Sequence, residues 1–120
     1  MQNIESLDRP LVAVAALVFA CGCGAQWSRR DLALEAGSFV TNMVDARQSV
    51  AIAHAGAETN PMIGSHGERV PVMVYALTMA ALHVVATDAL PPRMRLAWQA
   101  ASIGLETAIV VENYRKGWAP

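Results

Sequence analysis

Lysine is almost missing from this chain: Lys116 is the only one, and no Lys/Arg-rich tract occurs. With a net charge of −1, there is no clustered basic surface of the kind that nucleic acid requires. Aromatic residues are 6% of the 120 residues, too few for a platform on which bases stack. Charged residues are 16%, against about 25% in an ordinary soluble domain. Cys21 and Cys23 have one residue between them, too close for facing disulfide geometry. A lone C-x-C also lacks the further ligands of a zinc site. Gly22 and Gly24 follow no strand, so they form no phosphate cradle, and no nucleophile elbow or P-loop occurs. No catalytic residue, metal or cofactor is therefore expected.

What is present is apolar. Hydrophobic residues are 54%, mean hydropathy is +0.32, and the excess is gathered into runs. The length suits one domain. Four segments carry helical patterning and none alternates like a strand. The expected fold is all-α: a small integral membrane bundle of three or four helices. Residues 1–25 form a signal-like or anchoring hydrophobic segment, and residues 26–120 a helical membrane domain.

The first run, residues 11–25, is shorter than the roughly 20 residues that span a bilayer. Pro10 marks its start. One reading is an uncleaved anchor. The other is the apolar region of a signal peptide, because Val18-Phe19-Ala20-Cys21 approximates a lipoprotein processing site in which Cys21 would bear the lipid. The bulky Phe19 and the non-basic leader, with Glu5 and Asp8 against Arg9, weigh against processing.

The second segment, residues 31–54, opens with Ser28 and Asp31 as a capping-box signature. Glu35, Ser38, Asn42, Asp45 and Ser49 recur at spacings of three and four, which puts them on one helical face. Residues 55–69 form a loop whose E-T-N-P-M-I-G-S-H-G stretch is punctuated by Asn60-Pro61 and two glycines, Gly64 and Gly67. The third segment, residues 70–90, is the best transmembrane candidate, with Pro71 suited to a first turn. Pro91-Pro92 ends it, and Arg93 and Arg95 mark a membrane edge. The fourth is residues 96–111. Trp98 near one end and Tyr114 with Trp118 at the other suit the aromatic belts of a bilayer, while Gln99, Ser102, Glu106 and Asn113 share a face. If the chain crosses four times, four basic residues fall on each side, so orientation is undetermined.

Ionisable groups at bilayer depth are costly, so they turn inward and pair. The expected interior polar cluster is Asp45, Gln48, Glu58, Asn60, His83, Gln99 and Glu106, with Asp45, His83 and Glu106 meeting in the bundle. The plainer reading of that trio is interhelical hydrogen bonding between helices that share no hydrophobic drive in lipid; the sharper one is a proton relay or a carboxylate–histidine metal site. His54 and His66 suit solvated positions, and Arg47 an interfacial one. Ala97, Ala100, Ala101 and Gly104 would let a neighbouring helix approach closely.

Several blocks taken together resemble a group of small membrane proteins of phages and prophages of Gram-negative bacteria: Trp27-Ser28-Arg29-Arg30-Asp31, Asp45-Ala46-Arg47-Gln48-Ser49, Glu58-Thr59-Asn60-Pro61-Met62-Ile63-Gly64, Ala97-Trp98-Gln99 and Ile103-Gly104-Leu105-Glu106. The likeness covers roughly residues 27–118, and its E-T-N-P-x-x-G block is the most specific part. Members of that group carry Asp-Trp and Gln-Thr where this chain has Asp45-Ala46 and Gln48-Ser49, so Asp45 and Gln48 are common to both. The resemblance implies an envelope setting, such as lysis or exclusion of a second phage, and supplies no mechanism. The expected role is a non-enzymatic polytopic protein of the bacterial inner membrane, acting through assembly with copies of itself or contact with an envelope protein. Two alternatives stand beside it. One is a holin-like pore former, against which the weakly charged tail counts. The other is a proton-coupled carrier or membrane enzyme using Asp45, His83 and Glu106.

Overall fold

The computed structural model describes residues 27–57 and 69–119. The hydrophobic run with Cys21, and the loop positions Glu58, Asn60 and His66, lie outside the described residues. The described chain is all-α: helix α1 (Arg29–His54), α2 (Arg69–Ala89) and α3 (Pro92–Arg115).

Helix α1 begins where the capping box predicts. The Ser28 hydroxyl accepts from the Asp31 amide at 3.1 Å, and the Asp31 carboxylate accepts from the Ser28 amide at 2.9 Å. Two otherwise orphaned donors are thereby satisfied at the helix start. The hydrogen bond from the Ser28 backbone holds the Asp31 carboxyl below its ordinary range, because it favours the charged form. Just past the helix end, Gly56 has a φ of 70°, the left-handed conformation that glycine adopts at lowest cost.

Helix α3 starts four residues before the predicted 96. Pro91-Pro92 ends one helix and also opens the next, with Pro92 in the first turn. An N-terminal amide has no intrahelical partner, so proline loses nothing there. The same helix runs past the predicted 111 to Arg115, and Gly117 (φ 89°) follows its C-cap.

The three helices pack up–down–up, with α1 touching both others while α2 and α3 meet over a short stretch. Pairing of Glu35 with His83 at one level, and packing of Ala46 against Val72 and Ala76 at another, makes α2 antiparallel to α1. Pairing of Asp31 with Gln99 at one end and Gln48 with Asn113 at the other makes α3 parallel to α1. Small residues permit the close approach. Ala46, Val72 and Ala76 form the apolar core, with Met43, Val50 and Met73 packed against it.

That core is thin, and the rest of the interior is polar. Asp31, Glu35, Ser38, Gln48, Ser49, Thr87, Arg95 and Gln99 are all buried. Val40, Val74, Leu82, Val85 and Leu105 face outward, each more than half exposed. Ordinary domains do the reverse with large aliphatic and charged side chains. At about 1.5 Å per residue, α1, α2 and α3 run about 39, 32 and 36 Å, each enough to cross a hydrocarbon layer of about 30 Å. Among the described residues, only Pro71–Ala89 is also apolar enough throughout to meet the composition of a membrane span.

Replacing Ser28 with Ala should destabilise the bundle by about 1 kcal/mol, read as a lowered unfolding midpoint, while Ser28→Asp should keep most of the stability. An unchanged midpoint in Ser28→Ala would show that the cap contributes nothing here.

Candidate polar interior site

The polar stripe of α1 meets a different set of partners at each level. At the level of its first two turns, Glu35 is the hub, only 3% exposed. His83 Nδ1 lies 2.7 Å from Glu35 Oε1. Gln99 donates to Glu35 Oε2 at 3.0 Å, and the Thr87 hydroxyl donates to the same oxygen at 3.3 Å. One carboxylate thus ties α1 to both other helices. The single Thr87 hydroxyl proton is shared between Glu35 and the nearer His83 carbonyl, at 2.8 Å. Gln99 also donates to the Asp31 carbonyl at 3.0 Å. Trp98 stacks on the His83 ring at 5.1 Å between centroids, which fixes the imidazole plane while its Nδ1 faces Glu35.

Arg95 closes this end. Expected to mark an edge, it lies at this end of the bundle with its side chain turned inward, 4% exposed. Its Nε donates to the Thr87 and Leu90 carbonyls, both at 3.0 Å, and its Nη2 to the Asp88 carbonyl at 3.1 Å. These carbonyls lie in and just past the last turn of α2, where the regular helical amide partners run out and Thr87 keeps only the Leu90 amide at 3.3 Å, and a cation complements the negative end of the helix dipole. The Trp27 ring lies against the guanidinium at 5.9 Å, and its indole N–H donates to Asp88 Oδ1 at 2.8 Å.

In the middle of α1, the Thr41 hydroxyl donates to Glu106 Oε2 on α3. At the far end, Gln48 is fully buried and donates to the carbonyls of Val110 at 3.2 Å and Trp118 at 3.1 Å. Asn113 donates to Gln48 Oε1 at 3.1 Å and to Asp45 Oδ1 at 3.4 Å. The chain beyond α3 is thereby tied to α1.

The predicted site residues are thus distributed. Gln48 with Asp45 forms one group, and Gln99 with His83 another. Asp45, His83 and Glu106 each take a separate partner: Asn113, Glu35 and Thr41. Of that trio, His83 and Glu106 line a common void, which Asp45 does not. Glu58, Asn60 and Cys21 lie outside the described residues. His54, expected at a solvated position, is exposed, and so is Arg47. Sequence reading missed Glu35 as the hub, although its place on the polar stripe was visible. Thr87, Thr41 and the buried Arg95 were missed too, and no spacing pattern within one helix marks them.

Among the described residues, no group of His, Cys, Asp and Glu could hold a metal ion. Two spaces adjoin the stripe. A void of about 10 Å³ is bordered by Glu35, Ser38, Asn42, His83 and Glu106 among others. A larger cleft of about 580 Å³ lies between α2 and α3 at the far end, with Asn42, Asp45, Ser49 and Asn113 on its polar side. No protein-family model, curated protein or solved structure matches this chain.

Glu35→Leu should be the most disruptive substitution of the stripe, because it leaves His83 Nδ1 and one Gln99 amide hydrogen unpaired and removes an acceptor from Thr87. Each buried group left unpaired costs about 1–3 kcal/mol. Glu35→Gln keeps the shape and one acceptor oxygen and should cost less. Thermal unfolding of both variants in one detergent checks the order; equal losses would show that Glu35 only fills space.

Proposed function

We propose that this chain is a small polytopic protein of the bacterial envelope membrane, non-enzymatic, working through assembly or contact with an envelope partner. The observation that carries the reading is the inverted distribution of side chains. Carboxylate, amide, hydroxyl and guanidinium groups are buried and bonded to one another or to backbone carbonyls, while Val40, Val74, Leu82, Val85 and Leu105 point outward. In water that surface would be an aggregation hazard. In lipid the outward aliphatic groups are solvated, and inward polar groups supply the interhelical attraction that apolar packing cannot. Asp31, Ser28 and Arg95 then sit at one rim of the bundle, with Arg115 and Lys116 at the other.

Assembly is supported by α3. Ala97, Ala101, Gly104 and Ala108 share one face, all exposed, and a Cβ added at Gly104 would meet nothing within 4 Å. Small residues at this spacing allow two helix backbones to approach closely in a membrane. The phage and prophage setting rests on the sequence resemblance alone.

Carbonate extraction of washed membranes tests the reading: the full chain should stay in the pellet, and release to the supernatant would overturn the membrane assignment. Assembly is tested by cross-linking in membranes, where Gly104→Ile should reduce the self-linked product while the protein still pellets. Unchanged cross-linking would remove α3 from the contact.

A further inference from the structure

The small void beside His83 has the size and chemistry of a site for one water. Its volume is about 10 Å³, and a space of roughly 10–15 Å³ on this measure holds a single water when at least two polar partners line it. Two of its lining residues carry a buried polar atom with no hydrogen-bond partner: His83 Nε2 and Asn42 Oδ1. Orphaned buried polar atoms are rare in folded proteins and mark an unseen partner.

The partner's chemistry follows from the ring. His83 Nδ1 lies at 2.7 Å from a carboxylate oxygen, which can only accept while ionised, so Nδ1 bears the proton. In the neutral ring Nε2 is then an acceptor. Asn42 Oδ1 is an acceptor as well. Two acceptors facing one small space require a ligand with two donors, and water has two. Glu106, held by Thr41 from the other side, adds a further acceptor on the wall of the same void.

Asn42 also lines the large cleft. It therefore stands between an open space and the buried Glu35–His83 pair. The geometry points to a proton-exchange route: cleft, Asn42-anchored water, His83, Glu35. A hydronium in the cleft gives its proton to the bound water, which passes one to His83 Nε2 and is left neutral. The imidazolium then releases its Nδ1 proton to Glu35 Oε1, leaving a neutral ring and a carboxylic acid. One proton has moved inward, and no electron has. Asn42 is a positioning residue here, holding the water rather than a proton. The ionisable groups around the ring are Glu35 on α1 and Glu106 on α3, with Asp31 beyond Gln99 and Arg95 beyond Thr87. This route does not depend on the membrane reading: a chain released by carbonate can still exchange protons along it.

Nitrogen-15 NMR of the full-length chain in detergent micelles tests the route, with His83 assigned against a His83→Gln sample. At neutral pH the ring should carry its proton on Nδ1, its Nε2 should show the shift of a hydrogen-bonded acceptor, and magnetisation should pass between ring and water. Asn42→Leu fills the same space without an acceptor. It should abolish that transfer and slow solvent exchange of the His83 N–H by about tenfold, the equivalent of one lost hydrogen bond, while Asn42→Ser retains exchange. An Nε2–H tautomer or a dry ring in the unaltered chain would overturn the proposal without any variant. So would wild-type exchange in a folded Asn42→Leu.

Discussion

A carboxylate cannot be buried alone, because leaving water costs it several kcal/mol unless donors replace the lost hydration. Glu35 is 3% exposed, and its donors come from two other helices: His83 and Thr87 from α2, Gln99 from α3. The requirement fixes the relative height of all three helices at once. If α2 slid by one turn, about 5.4 Å, His83 and Thr87 would leave Glu35 unsatisfied. Polar demand, rather than the small apolar core of Ala46, Val72 and Ala76, specifies this register.

The other buried polar groups obey the same rule at other levels. Arg95 satisfies carbonyls where α2 stops, and that places the Pro91-Pro92 corner. Gln48 reaches the carbonyls near the end of α3 and the segment after it, which fastens the opposite end. Toward that end α2 and α3 diverge, and the divergence leaves the cleft. A bundle tied at levels by hydrogen bonds tolerates such openings where an oil-like core would collapse, since each tie is directional and local.

The same architecture accounts for the outward aliphatic face. Once polar groups have been spent on holding helices together, the remaining apolar side chains have no interior left to fill. Val40, Leu82, Val85 and Leu105 are the result. Under the membrane reading proposed above, lipid solvates that surface, and the exposed small-residue face of α3 is where a second copy would compete with lipid.

Much of this was legible in the sequence, because it depends on residues close along the chain. The capping box of Ser28 and Asp31, the stripe from Glu35 to Ser49, and the shared face of Gln99, Glu106 and Asn113 all follow from 3.6 residues per turn. The start of α3 was misplaced because Pro91-Pro92 was read as a stop, when a first-turn proline is also a start. Arg95 was read only as an edge residue because it follows Pro91-Pro92 and Arg93 at the end of an apolar run, whereas its partners are backbone carbonyls at the end of another helix, which sequence does not display. The sequence by itself determined the helices and which faces are polar, through local periodicity and capping. The tertiary structure alone decided which polar group meets which, Glu35 with His83 across 48 residues and Thr41 with Glu106 across 65, because those pairings depend on the axial offset between helices, and periodicity within one helix carries no information about its neighbour's height.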